Sequence, residues 1–224
     1  MDKTGSQYVS LGVGFAQVSD TATFKLGDIV PSKWDWYSDK LQVLDTAAAK
    51  VVATYDYYGV WDGAIAGDDE GWYDITGGGE SPADDVEFPV GTAFLGNFAA
   101  KQVCLSQSGA VLSGSTLLDY TGSQYVMFGN PLPVGLTLGD IVPTKWDWYS
   151  DKLQVLNTGA AKVVATYDYY GTWDGAIAGD DEGWYDITGG GEEPADDVVV
   201  NPGDAWLGNF AAKDVVIVFP AAVE

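Results

Sequence analysis

The stretch Leu26–Phe98 returns as Leu138–Phe210 at a fixed offset, with about 62 of 73 positions identical. The leading segments match too, "MDKTGSQYV" at 1–9 against "LDYTGSQYV" at 118–126, after a five-residue gap. Whatever one copy folds into, the other must fold into as well. The period exceeds the roughly 20–50 residues of a solenoid unit and suits an independent domain. The chain therefore reads as two tandem domains, 1–113 and 118–224, with residues 114–117 of "LSGSTLLDY" as the linker.

Within each copy the pattern is β. "KLQVLD" alternates, "AKVVATYDYYGVWDG" is rich in β-branched and aromatic residues, and "KQVCLS" and its counterpart "KDVVIVF" end the copies as buried strands do. Between them "GDIVP", "AGDDEG", "ITGGGE" and "FPVGTA" carry turn chemistry. Apart from one short helical turn at "SKWDWYSDK", no stretch sustains a 3.6-residue period. Roughly eight short strands in about a hundred residues predict an all-β fold, each domain a β-sandwich or jelly-roll-like barrel.

Composition then removes whole classes of function. A hydrophobic fraction of 46% is too high for a disordered chain. A net charge of -23, with ten lysines, no arginine and no histidine, argues against nucleic acid and against an anionic membrane surface, and favours cations as small partners. The missing imidazole removes the usual zinc sites and most Ser/His and Cys/His schemes. No run of eighteen apolar residues predicts membrane insertion, and "MDKTGSQYVSLGVG" lacks the basic and apolar regions of a secretory signal. Cys104 aligns with Val216, which fits a small apolar core position better than a nucleophile.

"WDGAIAGDDEGWYDITGGGE" occurs at 61–80 and, letter for letter, at 173–192. Its carboxylates are candidate hard-oxygen ligands for Ca²⁺: Asp62, Asp68, Asp69, Glu70 and Asp74, with Asp174, Asp180, Asp181, Glu182 and Asp186 in the second copy. The spacing fits no EF-hand loop, and the competing reading is a solvated acidic loop. The aromatic residues have three readings: core, protein interface, or a platform for stacking on a glycan. The candidates for interface or ligand contact are Trp36, Tyr58, Trp61 and Trp72, with Trp148, Tyr170, Trp173 and Trp184.

Differences between the copies cluster. "VEFPVGTAF" becomes "VVVNPGDAW", and "SLGVGFAQVSDTATFK" shortens to "MFGNPLPVGLT". Clustered change predicts that these two surfaces meet different surroundings in the two copies.

The order "LGDIVP", "DKLQVLD", "VVATYDYYGVW", "GWYDITGGGE", "DDVEFPVGTAFLGNF" and "KQVCLS" resembles the tandem β-repeats of secreted or surface bacterial proteins, most without an assigned function. The resemblance spans nearly the whole chain and implies an extracellular or cell-surface structural or adhesive role, with no catalytic residues carried over. An enzyme is the weakest class: a glycosidase needs only two carboxylates, such as Asp68 with Glu70 or Asp62 with Asp74, and nothing separates these from loop acids. The leading expectation is a non-enzymatic structural protein that self-assembles into a homo-oligomer, its segments "QYVSLGVGF" and "DVVIVF" lending edges. The alternative is a carbohydrate-binding or adhesive module with two equivalent sites.

Overall fold

The computed structural model describes residues 8–12, 23–32, 34–35, 38–45, 48, 50–59, 65, 69–98, 103–107, 115–120, 125–148, 150–157, 162–171, 181–211 and 215–221. It is all-β, and among these residues the helical elements are three-residue 3₁₀ turns. The first copy forms β1 (Tyr8–Gly12), β2 (Thr23–Lys25), β3 (Ile29–Ser32), β4 (Asp39–Asp45), β5 (Lys50–Tyr58), β6 (Gly71–Asp74), β7 (Ser81–Pro82), β8 (Glu87–Pro89), β9 (Ala93–Phe98) and β10 (Cys104–Gln107). The second forms β11 (Thr116–Asp119), β12 (Tyr125–Gly129), β13 (Leu136–Thr137), β14 (Val142–Thr144), β15 (Lys152–Asn157), β16 (Lys162–Tyr170), β17 (Gly183–Asp186), β18 (Glu193–Pro194), β19 (Val199–Val200), β20 (Ala205–Asn209) and β21 (Val216–Phe219).

One sheet runs β1-β9-β4-β5-β6-β7, and its counterpart runs β12-β20-β15-β16-β17-β18 in the same order. Short sheets accompany each: β10-β3 and β2-β8 in the first copy, β11-β21-β14 and β13-β19 in the second. Each core draws on both kinds of sheet. Leu41, Tyr55, Tyr57, Trp72, Phe94 and Phe98 come from the long sheet, and Phe24, Ile29 and Leu105 from the short ones. The long and short sheets are also tied by a hydrogen bond: the Trp72 indole N–H donates to the Ile29 carbonyl at 2.7 Å, and Trp184 repeats this to Ile141 at 2.8 Å.

Local chemistry explains the fixed "GWYD". The Asp84 carboxylate accepts from the Trp72 backbone N–H at 2.9 Å and lies against Gly71, where an added Cβ would stand 2.3 Å from it. Asp196 does the same at Trp184 and Gly183. Only glycine admits the carboxylate there, and its φ of 150° is one that L side chains rarely adopt.

Three local expectations are corrected. "GDIVP" was expected to turn throughout; Gly27 and Asp28 do lie in a 3₁₀ turn, Leu26–Asp28, but Ile29–Ser32 is a strand, and Pro31 is tolerated there because β3 is an edge strand of the two-stranded sheet β10-β3, where a missing N–H need cost no ladder bond. Thr116 and Leu117, read as linker, belong to β11, which pairs with β21. β21 itself lies between β11 and β14, so "DVVIVF" has both edges occupied and cannot lend one to a neighbour.

The copies meet where their sequences diverge. The Gly12 N–H donates to the Gly203 carbonyl at 3.1 Å, and the Gly129 N–H donates to the Gly91 carbonyl at 3.0 Å. Gly12 corresponds to Gly129 and Gly91 to Gly203, so the contact is reciprocal, as in an isologous dimer. At its centre a Cβ on Gly129 would lie 2.2 Å from the Gly12 Cα, and one on Gly12 would lie 2.7 Å from the Gly129 Cα. A bridge between Thr92 and Phe128 extends the junction. Beside it opens a groove of about 350 Å³ to which the equivalent residues Leu44 and Leu156 both contribute.

Replacing Gly129 with Val places a side chain where the other copy's backbone lies. Overpacking of this kind costs about 1–3 kcal/mol, and each kcal/mol lowers Tm by roughly 2–4 °C at this chain length. Calorimetry should therefore show a lowered or split transition while near-UV circular dichroism keeps the signature of packed cores. An unchanged Tm would contradict the close approach.

Candidate functional site

Strand alternation builds a polar and aromatic surface opposite the core face of the second long sheet. Tyr167 and Tyr169 of β16 and Trp184 of β17 are core residues, so the intervening Asp168 and Tyr170, with Tyr185 and then Ile187, face the other way. The register sets Asp168 opposite Tyr185. The 3₁₀ turn Thr188–Gly190 then brings Gly191 and Glu192 to the edge of this surface.

Asp168 is a buried carboxylate with defined partners. Its Oδ1 accepts from the Trp146 indole N–H at 2.9 Å, and its Oδ2 accepts from the Lys152 ammonium at 2.5 Å. The Lys152 ammonium also donates to the Trp148 carbonyl at 3.0 Å. Burial holds the Asp168 carboxyl above the usual carboxylate range, although lysine and indole pull it down. Asp56 repeats the arrangement with Trp34 at 2.9 Å and Lys40 at 2.5 Å, and is raised for the same reason.

A single turn presents Trp148. The Asp147 N–H donates to the Asp151 carboxylate at 2.8 Å, and the Asp151 N–H donates back to the Asp147 carbonyl at 2.8 Å. Asp35 and Asp39 close the equivalent turn with the same distances. This is the one turn expected in "SKWDWYSDK". The Trp148 and Tyr170 rings stand 4.9 Å apart, tilted by 47°. With Tyr185, Ile187, Asp168 and Glu192 they line a pocket of about 130 Å³.

The structure thus brings together two of the eight aromatic candidates, Trp148 and Tyr170. Trp72 and Trp184 were expected at a contact surface; both are 0% exposed in the cores, where their rings have no surface left for a ligand. Tyr58 is half-buried on β5 at the position equivalent to Tyr170. Trp36, Trp61 and Trp173 lie outside the described residues.

Among the candidate metal ligands, Asp62, Asp68, Asp174 and Asp180 also lie outside the described residues. The others serve local bonds. Asp69 accepts from the Ile65 N–H, Asp74 from the Thr76 N–H at 2.8 Å, and Asp186 from the Thr188 N–H at 2.8 Å. Glu70 and Glu182 accept from the hydroxyls of Tyr57 and Tyr169 at 3.3 and 3.4 Å. Burial first, then these carboxylates, push both phenols up to about 12. The Asp181 carbonyl accepts from the Tyr185 hydroxyl at 3.0 Å. Among the described residues no group of three or more acidic or thiol side chains is gathered to hold a metal ion. Cys104 is a half-buried free thiol on β10.

Asp168, Tyr185 and Ile187 were absent from the sequence candidates. Their signal is the period of two in "YDYY" and "WYDI", which sets Asp168 and Tyr170, and Tyr185 and Ile187, on one face. The same letters in the first copy give Asp56, Tyr58, Tyr73 and Ile75. Comparison of the chain with family models, with curated proteins and with solved structures finds no match.

The raised carboxyls give a pH dependence of definite sign. Each takes up its proton more readily in the folded chain than in the unfolded one. Its contribution to stability is full below the unfolded carboxylate value and is lost as pH rises through the raised folded value. The double substitution Asp56→Asn and Asp168→Asn removes that contribution. The Tm deficit of the variant relative to the parent should widen as pH falls from about 7 to about 4; a narrowing deficit would contradict the assignment.

Proposed function

We propose that the chain is a non-enzymatic structural protein of two tandem, jelly-roll-like β-sandwich domains, and that it assembles with copies of itself at a cell surface or outside the cell. The observation that carries this reading is an open, apolar strand edge that recurs in both copies. β6 pairs with β5 from Tyr55 onward, and the Ile75 N–H donates to the Thr54 carbonyl, so Lys50–Ala53 has no strand on that side among the described residues. Val51 and Val52 on this segment are 40% and 42% exposed; Val163 and Val164 are 40% and 43% exposed in the second copy. An exposed edge of β-branched residues is a template for strand addition.

The reciprocal junction supports the reading from another side, since one surface of the repeat already makes a homotypic contact within the chain. Two edges per chain allow an open series of contacts, hence a filament or sheet, or a closed shell if the rotation closes. A charge of -23 per chain opposes association, and bound cations such as Ca²⁺, or added salt, would offset it. The resemblance of the repeats to secreted and surface β-repeats supports that location.

Light scattering and negative-stain imaging test this directly. The parent chain should form regular particles of many chains, smaller or absent after chelation and restored by Ca²⁺. With Lys in place of Val52 and Val164, the edges carry charge and the particles should fall to single chains without loss of Tm. Single parent chains in every condition would defeat the proposal.

A further inference from the structure

The pocket beside β16 and β17 has features that assembly does not require. Three aromatic side chains, Trp148, Tyr170 and Tyr185, border about 130 Å³, with Ile187 among the lining residues and Glu192 exposed at the edge. That volume is below the roughly 300–1,000 Å³ of sites that enclose a whole small molecule. It takes a head group. A flat sugar ring calls for a platform, whereas the 47° tilt between Trp148 and Tyr170 makes a corner.

The local field favours one sign of charge. After burial, the negative charges of Asp181, Asp196 and Glu192 are what raise the Tyr185 phenol above its ordinary value. The Lys152 ammonium near the pocket is engaged by Asp168 and by the Trp148 carbonyl. An anionic head group is disfavoured, and a cation gains both from this field and from the negative faces of the rings. A compact, fully hydrated metal ion makes poor use of aromatic walls; an alkylated ammonium makes good use of them.

We propose that the pocket formed by Trp148, Tyr170, Tyr185 and Glu192 binds a substituted ammonium head group of the kind carried by choline or by N-methylated lysine. The rings supply cation–π contact on adjoining sides, Ile187 packs against the alkyl substituents, and Glu192 provides the counter-charge at the edge. This site is independent of assembly and works in a single chain.

The test is a titration of the full chain with choline chloride, followed by NMR at the Trp148 indole N–H and the Ile187 methyl group. Three further ligands run in parallel: Nε-trimethyl-lysine amide, the uncharged isostere 3,3-dimethylbutan-1-ol, and glucose. Both ammonium compounds should shift the two resonances. The isostere should bind roughly three- to thirtyfold more weakly, the span expected of cation–π contact. Glu192→Gln, an exposed change that leaves the core untouched, should weaken choline several-fold in low salt; Trp148→Ala should abolish the Ile187 shift. Response to the isostere equal to that of choline would make this an apolar pocket, response to glucose alone would make it a glycan site, and no response to either ammonium would remove the site. Each of these outcomes overturns the proposal.

Discussion

Two glycines set the relation between the halves of this molecule. Gly12 and Gly129 approach so closely that a Cβ on either would sit inside the other's backbone, and the reciprocal bonds to Gly203 and Gly91 form only at that separation. The apolar groove between Leu44 and Leu156 follows from the same approach. So does the clustering of sequence change. β1 and the turn between β8 and β9 meet β12 and the turn between β19 and β20, and the junction draws on both segments in which the copies differ. The clustered change predicted unlike surroundings for the two patches, but they face each other across a reciprocal contact, and a contact inside one chain lets each side change together with the other.

The letter-for-letter segments are constrained from within. Gly71 admits the Asp84 carboxylate, Trp72 binds the carbonyl of Ile29 across the core, the Tyr73 hydroxyl donates to the Asp69 carbonyl at 3.0 Å, and Asp74 closes the turn at Thr76. Each neighbour in "GWYDIT" thus has a separate task. The buried pairs Asp56 with Lys40 and Asp168 with Lys152 add a further constraint, because removing one partner would strand a buried charge. Acidic character in this chain is therefore only partly a matter of solubility: several carboxylates are turn closures, and two in each copy, Asp39 and Asp56 in the first and Asp151 and Asp168 in the second, are buried acceptors.

Much of this was legible from the letters. The period of the repeat, the strands at "KLQVLD" and "KVVATYDYY", the turn at "ITGGGE" and the two divergent patches all follow from local pattern, and local pattern is what residue chemistry controls. The misses are those in which spatial neighbours decide. Pro31 looks like a breaker until β3 is seen to have β10 on one side. A continuous apolar run such as "VVIVF" reveals burial and says nothing about whether its edges are taken. Trp72 and Trp184 read as surface or core alike in a four-residue strand, and their opposite numbers, Tyr57 and Tyr169, settle the face only through register. The ring-lined pocket joins residues 148, 168, 170, 185 and 192, a set that no linear motif contains.

The pairing of the two copies is open to a direct check by amide hydrogen exchange at Gly12 and Gly129. Both amides should be protected, to a similar degree, at a level close to that of the β9 and β20 strand amides beside them. Exchange of either glycine at the rate of an open loop, with the strands still protected, would contradict the reciprocal junction.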